Sequence, residues 1–118
     1  MKAGPELSVI TKAYDLIVWF VPIIGRLPRS HRFVLGERME RTLYHMLESL
    51  LRAKYRRDRH ALLDEANIGL DLLRFQTRLT KDLKLLSVRR YEYVARHVDE
   101  IGREVGGWMK HGARRQAP

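Results

Sequence analysis

The chain of 118 residues contains no cysteine, and this absence excludes disulfides, thiolate catalysis and zinc sites built on cysteine. It is compatible with a reducing compartment, and we expect a cytoplasmic protein. Motifs with the spacing of metal ligands are also absent, because none of the five histidines forms a His-x-x-x-His pair or a Glu-x-x-His motif. The sequence therefore predicts neither a metal site nor a cofactor.

Long apolar runs are scarce. The longest, Leu16 to Ile24, is interrupted by Pro22 and is shorter than the roughly 20 residues that a membrane-spanning helix needs. No small-residue cleavage pattern follows it, so it does not resemble a secretory signal. We expect a buried helix end here, and no membrane partner.

Strand-type alternation is absent, and apolar residues instead recur three and four positions apart in four segments. This spacing predicts an all-α protein. Because the connections are short, neighbouring helices should run antiparallel, as an up-and-down four-helix bundle in one domain, 1–118, with a frayed basic tail at about 112–118. The predicted helices are Pro5–Ile24, Ser30–Lys54, Arg59–Leu86 and a segment that begins after Ser87.

Three local features refine this prediction. Ser30 and Ser87 precede helical patterns and are expected to be helix caps. Gly102 and Gly106 lie four residues apart, which predicts a close approach to another helix. The third segment carries one continuous apolar row, expected to face the core, made of Ile68, Leu72, Phe75, Leu79, Leu83 and Leu86.

Acidic residues are few relative to basic ones. The chain has 23 Lys and Arg against 14 Asp and Glu, a formal charge of +9, and residues 51–118 hold sixteen of the cations but only nine of the anions. A folded, strongly basic protein is expected to bind a polyanion, above all nucleic acid. Because the aromatic residues fall mostly on the expected core faces, we predict contacts to phosphates rather than stacking on bases.

The candidate phosphate-binding residues follow from helical spacing. Arg74, Arg78 and Lys81 recur at i, i+4 and i+7, on the side expected to be opposite the apolar row. The alternative is a solvated helix surface that Asp71 and Asp82 partly neutralise. The complete candidate set is Arg74, Arg78, Lys81, Arg89, Arg90, Arg29 and Arg32.

Catalytic motifs are not found. The serines lack a nucleophile signature, and the glycines near residue 106 lie within a helical pattern, without the preceding strand and following Lys-Ser/Thr of a phosphate loop. The sequence therefore predicts a protein that is not an enzyme.

Three segments resemble a known family, with further similarity at 63–67 and 73–75. They are AYDLIVW at 13–19, LPRSHRFVLGER at 27–38 and DEIGREVGGW at 99–108. The chain resembles Avd, the accessory variability determinant of diversity-generating retroelements, and the resemblance extends from about Thr11 to Lys110. Avd is grouped with the helical-bundle proteins encoded in intervening sequences of bacterial large-subunit ribosomal RNA genes.

The resemblance implies a homopentameric barrel of four-helix bundles. It also implies a positively charged surface that binds the retroelement's reverse transcriptase and its template RNA, with DNA as a further ligand. The implied role is non-enzymatic support of mutagenic cDNA synthesis and retrohoming. Two alternatives remain open: a bundle protein of the ribosomal intervening-sequence type, and an oligomeric interaction module with an acidic protein partner.

Overall fold

The computed structural model describes the backbone of residues 4–116 and the side chains of residue 4 and residues 7–111. All regular structure in this part of the chain is helical, which confirms the predicted all-α class. The elements are α1 (Pro5–Ile24), α2 (Arg29–His31), a π-helix (Arg32–Gly36), α3 (Glu37–Lys54), α4 (His60–Asp82) and α5 (Val88–Gln116).

Four of these helices are long, and the short α2 and the π-helix lead directly into α3. Together those three elements correspond to the second predicted segment. The tail predicted from residue 112 begins inside α5, and its side chains lie outside the described part.

The four long helices form an antiparallel bundle about 53 Å long. Helix α1 packs against α3 and α5, and α4 packs against the same two helices, so α1 and α4 lie diagonally across the bundle. The Ser8 hydroxyl donates a hydrogen bond to Glu104 over 2.8 Å, which places the start of α1 beside the last part of α5.

The bundle therefore has two distinct ends. We call one the Tyr55 end, which holds the α3–α4 turn, the start of α1 and the last part of α5. The opposite one, the Arg89 end, holds the α1–α2 link and the α4–α5 turn.

The π-helix ends close to the end of α1 at Gly36, where an added Cβ would lie 3.1 Å from Ile24 Cγ2.

The core consists of one side of each long helix. The central buried side chains are Ala13, Leu16, Phe20, Met39, Leu43, Met46, Leu50, Leu63, Leu70, Leu73, Val94, Val98, Ile101 and Val105.

The core side of α4 differs from the prediction. It is formed by Leu63, Ala66, Leu70 and Leu73 and, further along the helix, by two buried threonines. The hydroxyls of Thr77 and Thr80 donate to the carbonyls of Leu73 and Gln76, each over 2.7 Å. These intrahelical bonds satisfy the hydroxyls and allow the threonines to be buried. The Thr80 hydroxyl also lies 3.5 Å from Met39 Sδ on α3.

The row that was expected to face the core is instead on the surface, so that prediction was wrong. Its five members within or next to α4 are between 49% and 63% exposed. Leu86 is buried, but it follows the end of the helix. We refer to the five exposed residues as the α4 apolar face: Ile68, Leu72, Phe75, Leu79 and Leu83.

The α4–α5 connection is a tight helix ending. Lys84 adopts a left-handed backbone with φ 63°, the Leu85 amide donates to the Thr80 carbonyl over 3.0 Å, and the Lys84 amide donates to the Lys81 carbonyl over 2.8 Å. These two bonds define a Schellman motif. It ends α4 at Asp82, earlier than predicted.

The two serine caps have different outcomes. Ser87 accepts a hydrogen bond from the Arg90 amide over 3.2 Å, which confirms it as the cap of α5. Ser30 lies inside α2, whose N-cap is Pro28, so the cap predicted there was wrong.

The glycine prediction is correct only in part. A Cβ on Gly102 would lie 3.6 Å from Arg74 Nη2 and 3.9 Å from Leu70 Cδ1, which is ordinary contact with α4, whereas a Cβ on Gly106 would meet none of the described atoms within 4 Å. The close approach predicted at Gly106 is therefore wrong within one protomer.

Helix α1 is more apolar over its length than the run Leu16 to Ile24 indicated. From Leu7 to Ile24 it is long and apolar enough to cross a membrane, judged by length and composition alone. About a third of this stretch is buried inside the bundle, and the buried side includes Ala13, Leu16 and Phe20. A core helix of a bundle has this same composition.

Candidate nucleic-acid interface

Five of the seven predicted phosphate-binding residues lie at the Arg89 end: two before α3, two at the start of α5, and Lys81 in the last turn of α4. Arg29 opens α2 just after the α1–α2 link, and Arg89 and Arg90 lie in the first turn of α5, where Ser87 caps the helix. These three arginines are exposed, and Arg32 is half-buried. Because α1 and α5 are antiparallel, the end of α1 and the start of α5 meet, and the fold brings the two arginine pairs to one end of the bundle.

Arg32 is tied to an exposed aromatic ring. Its guanidinium carbon lies 4.8 Å from the centroid of the Phe33 ring, in a cation–π arrangement. Both residues belong to the π-helix, a form often found at functional positions. The π-helix thus presents a cation and an aromatic side chain together at the surface.

Lys81 links the end of α4 to the start of α5. Its ammonium lies 3.0 Å from Asp82 Oδ1 and 4.7 Å from the centroid of the Tyr91 ring. Arg78 contacts the same carboxylate from the preceding turn, with 3.8 Å between Nε and Asp82 Oδ2. One aspartate therefore partly neutralises both cations.

Arg74 is engaged between helices. Its Nη2 lies 2.8 Å from Asp99 Oδ1 on α5, and its Nη1 lies 3.5 Å from Asp71 Oδ1 on α4. This arrangement links α4 to α5 through charge-assisted hydrogen bonds. The arginine lies on the α5 side of α4, between the buried side and the apolar face. The prediction placed Arg74 directly opposite the core side of α4. That prediction was wrong, because the buried side and the apolar face lie on either side of this arginine.

Exposed aromatic residues are the feature that sequence reasoning missed. Tyr14, Phe33, Tyr44, Tyr55 and Phe75 are all exposed, although the aromatics were expected mostly on core faces. For Tyr55 a signal was present, because it lies in a run of charged residues, YRRDR at 55–59, between two helical patterns. For the others the helical period gave no indication of which side is buried.

The open surface beside the π-helix contains a groove of about 580 Å³. Phe33 and Val34 line it on one side and Leu72 on the other, so it continues the α4 apolar face. Arg38 adds positive charge, whereas the charge of Arg41 is paired with Glu37, also in the lining, over 2.9 Å. Among the residues the structure describes, no three His, Cys, Asp or Glu side chains cluster as metal ligands would. The groove thus offers apolar and cationic contacts.

Comparison with known proteins places this arrangement in a family. No curated protein matches the chain. The family described as bAvd-like matches residues 8–112, which include all four long helices except their outermost residues, both ends of the bundle and the arginines discussed above. The chain belongs to the bAvd-like family, the non-catalytic accessory-protein type of the diversity-generating retroelements.

Proposed function

We propose that this protein acts in the cytoplasm as a homopentameric accessory subunit that binds the reverse transcriptase and the template RNA of its retroelement and supports mutagenic cDNA synthesis and retrohoming. The observation that carries the proposal is the set of exposed arginines at the Arg89 end of a bAvd-like bundle. Phosphate contacts of this kind suit RNA and also DNA, because the energy comes from the backbone rather than from base identity.

The seven candidate residues do not contribute equally in this proposal. Arg29, Arg89 and Arg90 are exposed and make no ion pair with a carboxylate in the described part of the chain, so phosphate contact costs them no existing partner. Arg78 and Lys81 share Asp82 and contribute less. Arg74, already paired with Asp99, chiefly holds α4 against α5, and Arg32 orients the π-helix surface.

Two apolar surfaces on one protomer support the proposed assembly. On the α4 apolar face the intervals are four, three, four and four residues, which is the spacing of a coiled-coil seam. Leu7, Tyr14 and Val18 form a second exposed row on α1, with Thr11 between them at the same spacing. Exposed apolar rows of this length indicate a contact with another chain.

These two rows are different surfaces, so a contact between them is heterologous and can close into a ring. The number five comes from the family resemblance. A ring would display the arginines of the Arg89 end once per subunit, and repeated weak phosphate contacts would add through avidity.

The test is RNA binding by a double variant, Arg89→Glu with Arg90→Glu. We expect loss of RNA affinity and a shallower dependence of affinity on salt, because fewer phosphates are neutralised. The matched control is Arg96→Glu with Arg103→Glu, which makes the same change in net charge on the exposed surface of α5. Equal loss in both proteins would contradict the assignment to the Arg89 end.

Binding of the reverse transcriptase is tested on the same proteins. We expect wild type and the control to be retained by the immobilised enzyme and to support cDNA synthesis from the template RNA. A wild-type protein that neither binds RNA nor is retained by the enzyme would refute the proposed function.

A further inference from the structure

The Tyr55 end carries a second cluster of positive charge, and none of the seven candidate residues belongs to it. Between residues 52 and 59 there are five cations and one carboxylate, Asp58. Arg52, Lys54, Arg56 and Arg57 are exposed, and none of them forms an ion pair with a carboxylate in the described part of the chain. This differs from Arg74 and Lys81, whose charges are paired.

At the centre of this charge lies the most exposed large hydrophobic side chain among those described. Tyr55 is 78% exposed, and the Lys54 ammonium lies 5.3 Å from the centroid of its ring. Burial in the protomer does not explain an aromatic residue at this position. It caps the end of α3 and belongs neither to the α4 apolar face nor to the α1 row, which are the two surfaces of the proposed subunit contact.

Backbone hydrogen bonds join the turn that holds Tyr55 to the end of α3. The Tyr55 amide donates to the Arg52 carbonyl over 3.1 Å, and the Arg56 amide donates to the Ala53 carbonyl over 3.3 Å. On the other side of the turn the guanidinium of Arg59 lies 5.5 Å from the centroid of the buried Trp108 ring. The cations and the tyrosine thus lie together on one exposed turn between α3 and α4.

We propose that the Tyr55 end is a binding site for single-stranded nucleic acid, in which a base stacks on the Tyr55 ring while Arg56 and Arg57 contact the flanking phosphates. An exposed aromatic ring surrounded by cations is the arrangement that single-strand binders use. A duplex offers no unstacked base to such a ring. An acidic protein partner would bind the cations without using the exposed ring. The proposal rests on nucleic-acid binding as the proposed function, but it places a different mode of contact at the opposite end of the bundle.

The experiment measures the affinity of three proteins, wild type, Tyr55→Ala and Tyr55→Phe, for labelled oligonucleotides. The probes are a 12-nucleotide RNA, a DNA of the same sequence and a fully paired RNA duplex. We expect Tyr55→Ala to lose about tenfold or more in affinity for both single strands, while Tyr55→Phe keeps its affinity because the stacking face remains. Duplex affinity should be the same in all three proteins. Circular dichroism on each sample checks that the helices are retained.

The charge component has its own variant, Arg56→Gln with Arg57→Gln. If both arginines neutralise phosphates, the slope of log affinity against log salt for the single strand should fall by about 1.4. An unchanged slope would overturn their assignment.

The outcomes separate this inference from the proposed function. If Tyr55→Ala binds single strands as wild type does while the Arg89/Arg90 variant loses affinity, the inference is overturned and the proposed function stands. If Tyr55→Ala lowers duplex and single-strand affinity equally, or lowers only retention by the reverse transcriptase, base stacking is overturned. If wild type binds no RNA at any salt concentration, both fail.

Discussion

At the scale of single residues, the α4–α5 turn contains a backbone position that its side chain does not favour. Lys84 has φ 63°, and a residue with a Cβ pays roughly 1 kcal/mol or more there relative to glycine. Glycine is the usual residue at this position of a Schellman motif. The structure therefore marks Lys84 as a place where local stability can be gained.

We predict that Lys84→Gly raises the free energy of unfolding by about 1 kcal/mol. Urea denaturation checks this. Lys84→Ala is the matched control, because it removes the same charge but keeps the Cβ. Equal stability of the glycine and alanine variants would show that the turn is not strained.

Gly106 is a second residue whose surroundings differ from those that the sequence predicted. The spacing from Gly102 predicted that a large side chain at Gly106 would be crowded, yet the described atoms leave that position open. We therefore predict that Gly106→Ala stabilises the protein by about 0.5–1 kcal/mol, since alanine is the better helix former.

Gly36→Ala is the comparison for Gly106→Ala. Its new Cβ would lie 3.1 Å from Ile24, so the gain in unfolding free energy should be smaller. A larger gain at Gly36 than at Gly106 would contradict the packing described here.

At the scale of elements, the sequence predicted where helices form better than which side of a helix is buried. The four long helices were anticipated from their apolar period, and Ser87 was anticipated as a cap. In α4, however, two apolar rows lie on different sides, and the row richer in large residues is the exposed one. Periodicity cannot distinguish a core from a contact with another chain, because both exclude water. Thr77 and Thr80, which complete the real core side, look polar in the sequence.

A cluster of ion pairs contributes to the α1–α5 contact. Lys12 Nζ lies 2.6 Å from Glu100 Oε1 and 2.6 Å from Glu104 Oε2. Its hydrogen bond to Glu100 lowers the pKa of that carboxyl below its ordinary 4.5. The hydrogen bond to Glu100 and the close ion pair with Glu104 raise the pKa of Lys12 above its ordinary 10.5. Both shifts favour the charged pair in the folded protein.

These two shifts predict a pH window for stability. A carboxyl whose pKa is lowered by folding stabilises the folded protein above its unfolded pKa, and this stabilisation is lost as pH falls through the folded pKa. A lysine whose pKa is raised by folding stabilises the folded protein below its unfolded pKa, and its contribution is lost as pH rises above 10.5. The full contribution is thus present between about 4.5 and 10.5. We predict that Glu100→Gln flattens the loss of stability on acidification below pH 4.5. Thermal unfolding from pH 3 to 7 measures it, and parallel curves for wild type and variant would contradict it.

At the scale of the whole molecule, the excess of positive charge can be read from the sequence. Which arginines and lysines are paired with carboxylates, and which are left exposed, cannot. The pair between Arg74 and Asp99 joins residues far apart in the chain, and no local spacing indicates it. The same is true of Arg29 and Arg89, which lie at the same end of the bundle only because α1 and α5 are antiparallel. The composition could therefore predict a polyanion-binding protein, but the choice among individual arginines required the fold.

Assembly should depend on the two exposed apolar rows. If the α4 apolar face packs on the exposed row of α1 in the next subunit, Leu72→Asp with Leu79→Asp should prevent assembly, because two carboxylates would be buried without partners. We expect light scattering to give about five times the 13.9 kDa of one chain for wild type and a single chain for the variant. Leu51→Asp, on the exposed surface of α3, is the control and should remain assembled.

A second variant, Val18→Asp on α1, should also be a monomer. Each of these two variants keeps the surface that the other has lost, so an equimolar mixture should form heterodimers of twice the single-chain mass. This result is specific to a heterologous contact. A contact of α4 with α4 would leave Val18→Asp fully assembled and the mixture without heterodimers, and that outcome would exclude the arrangement from which a ring is built.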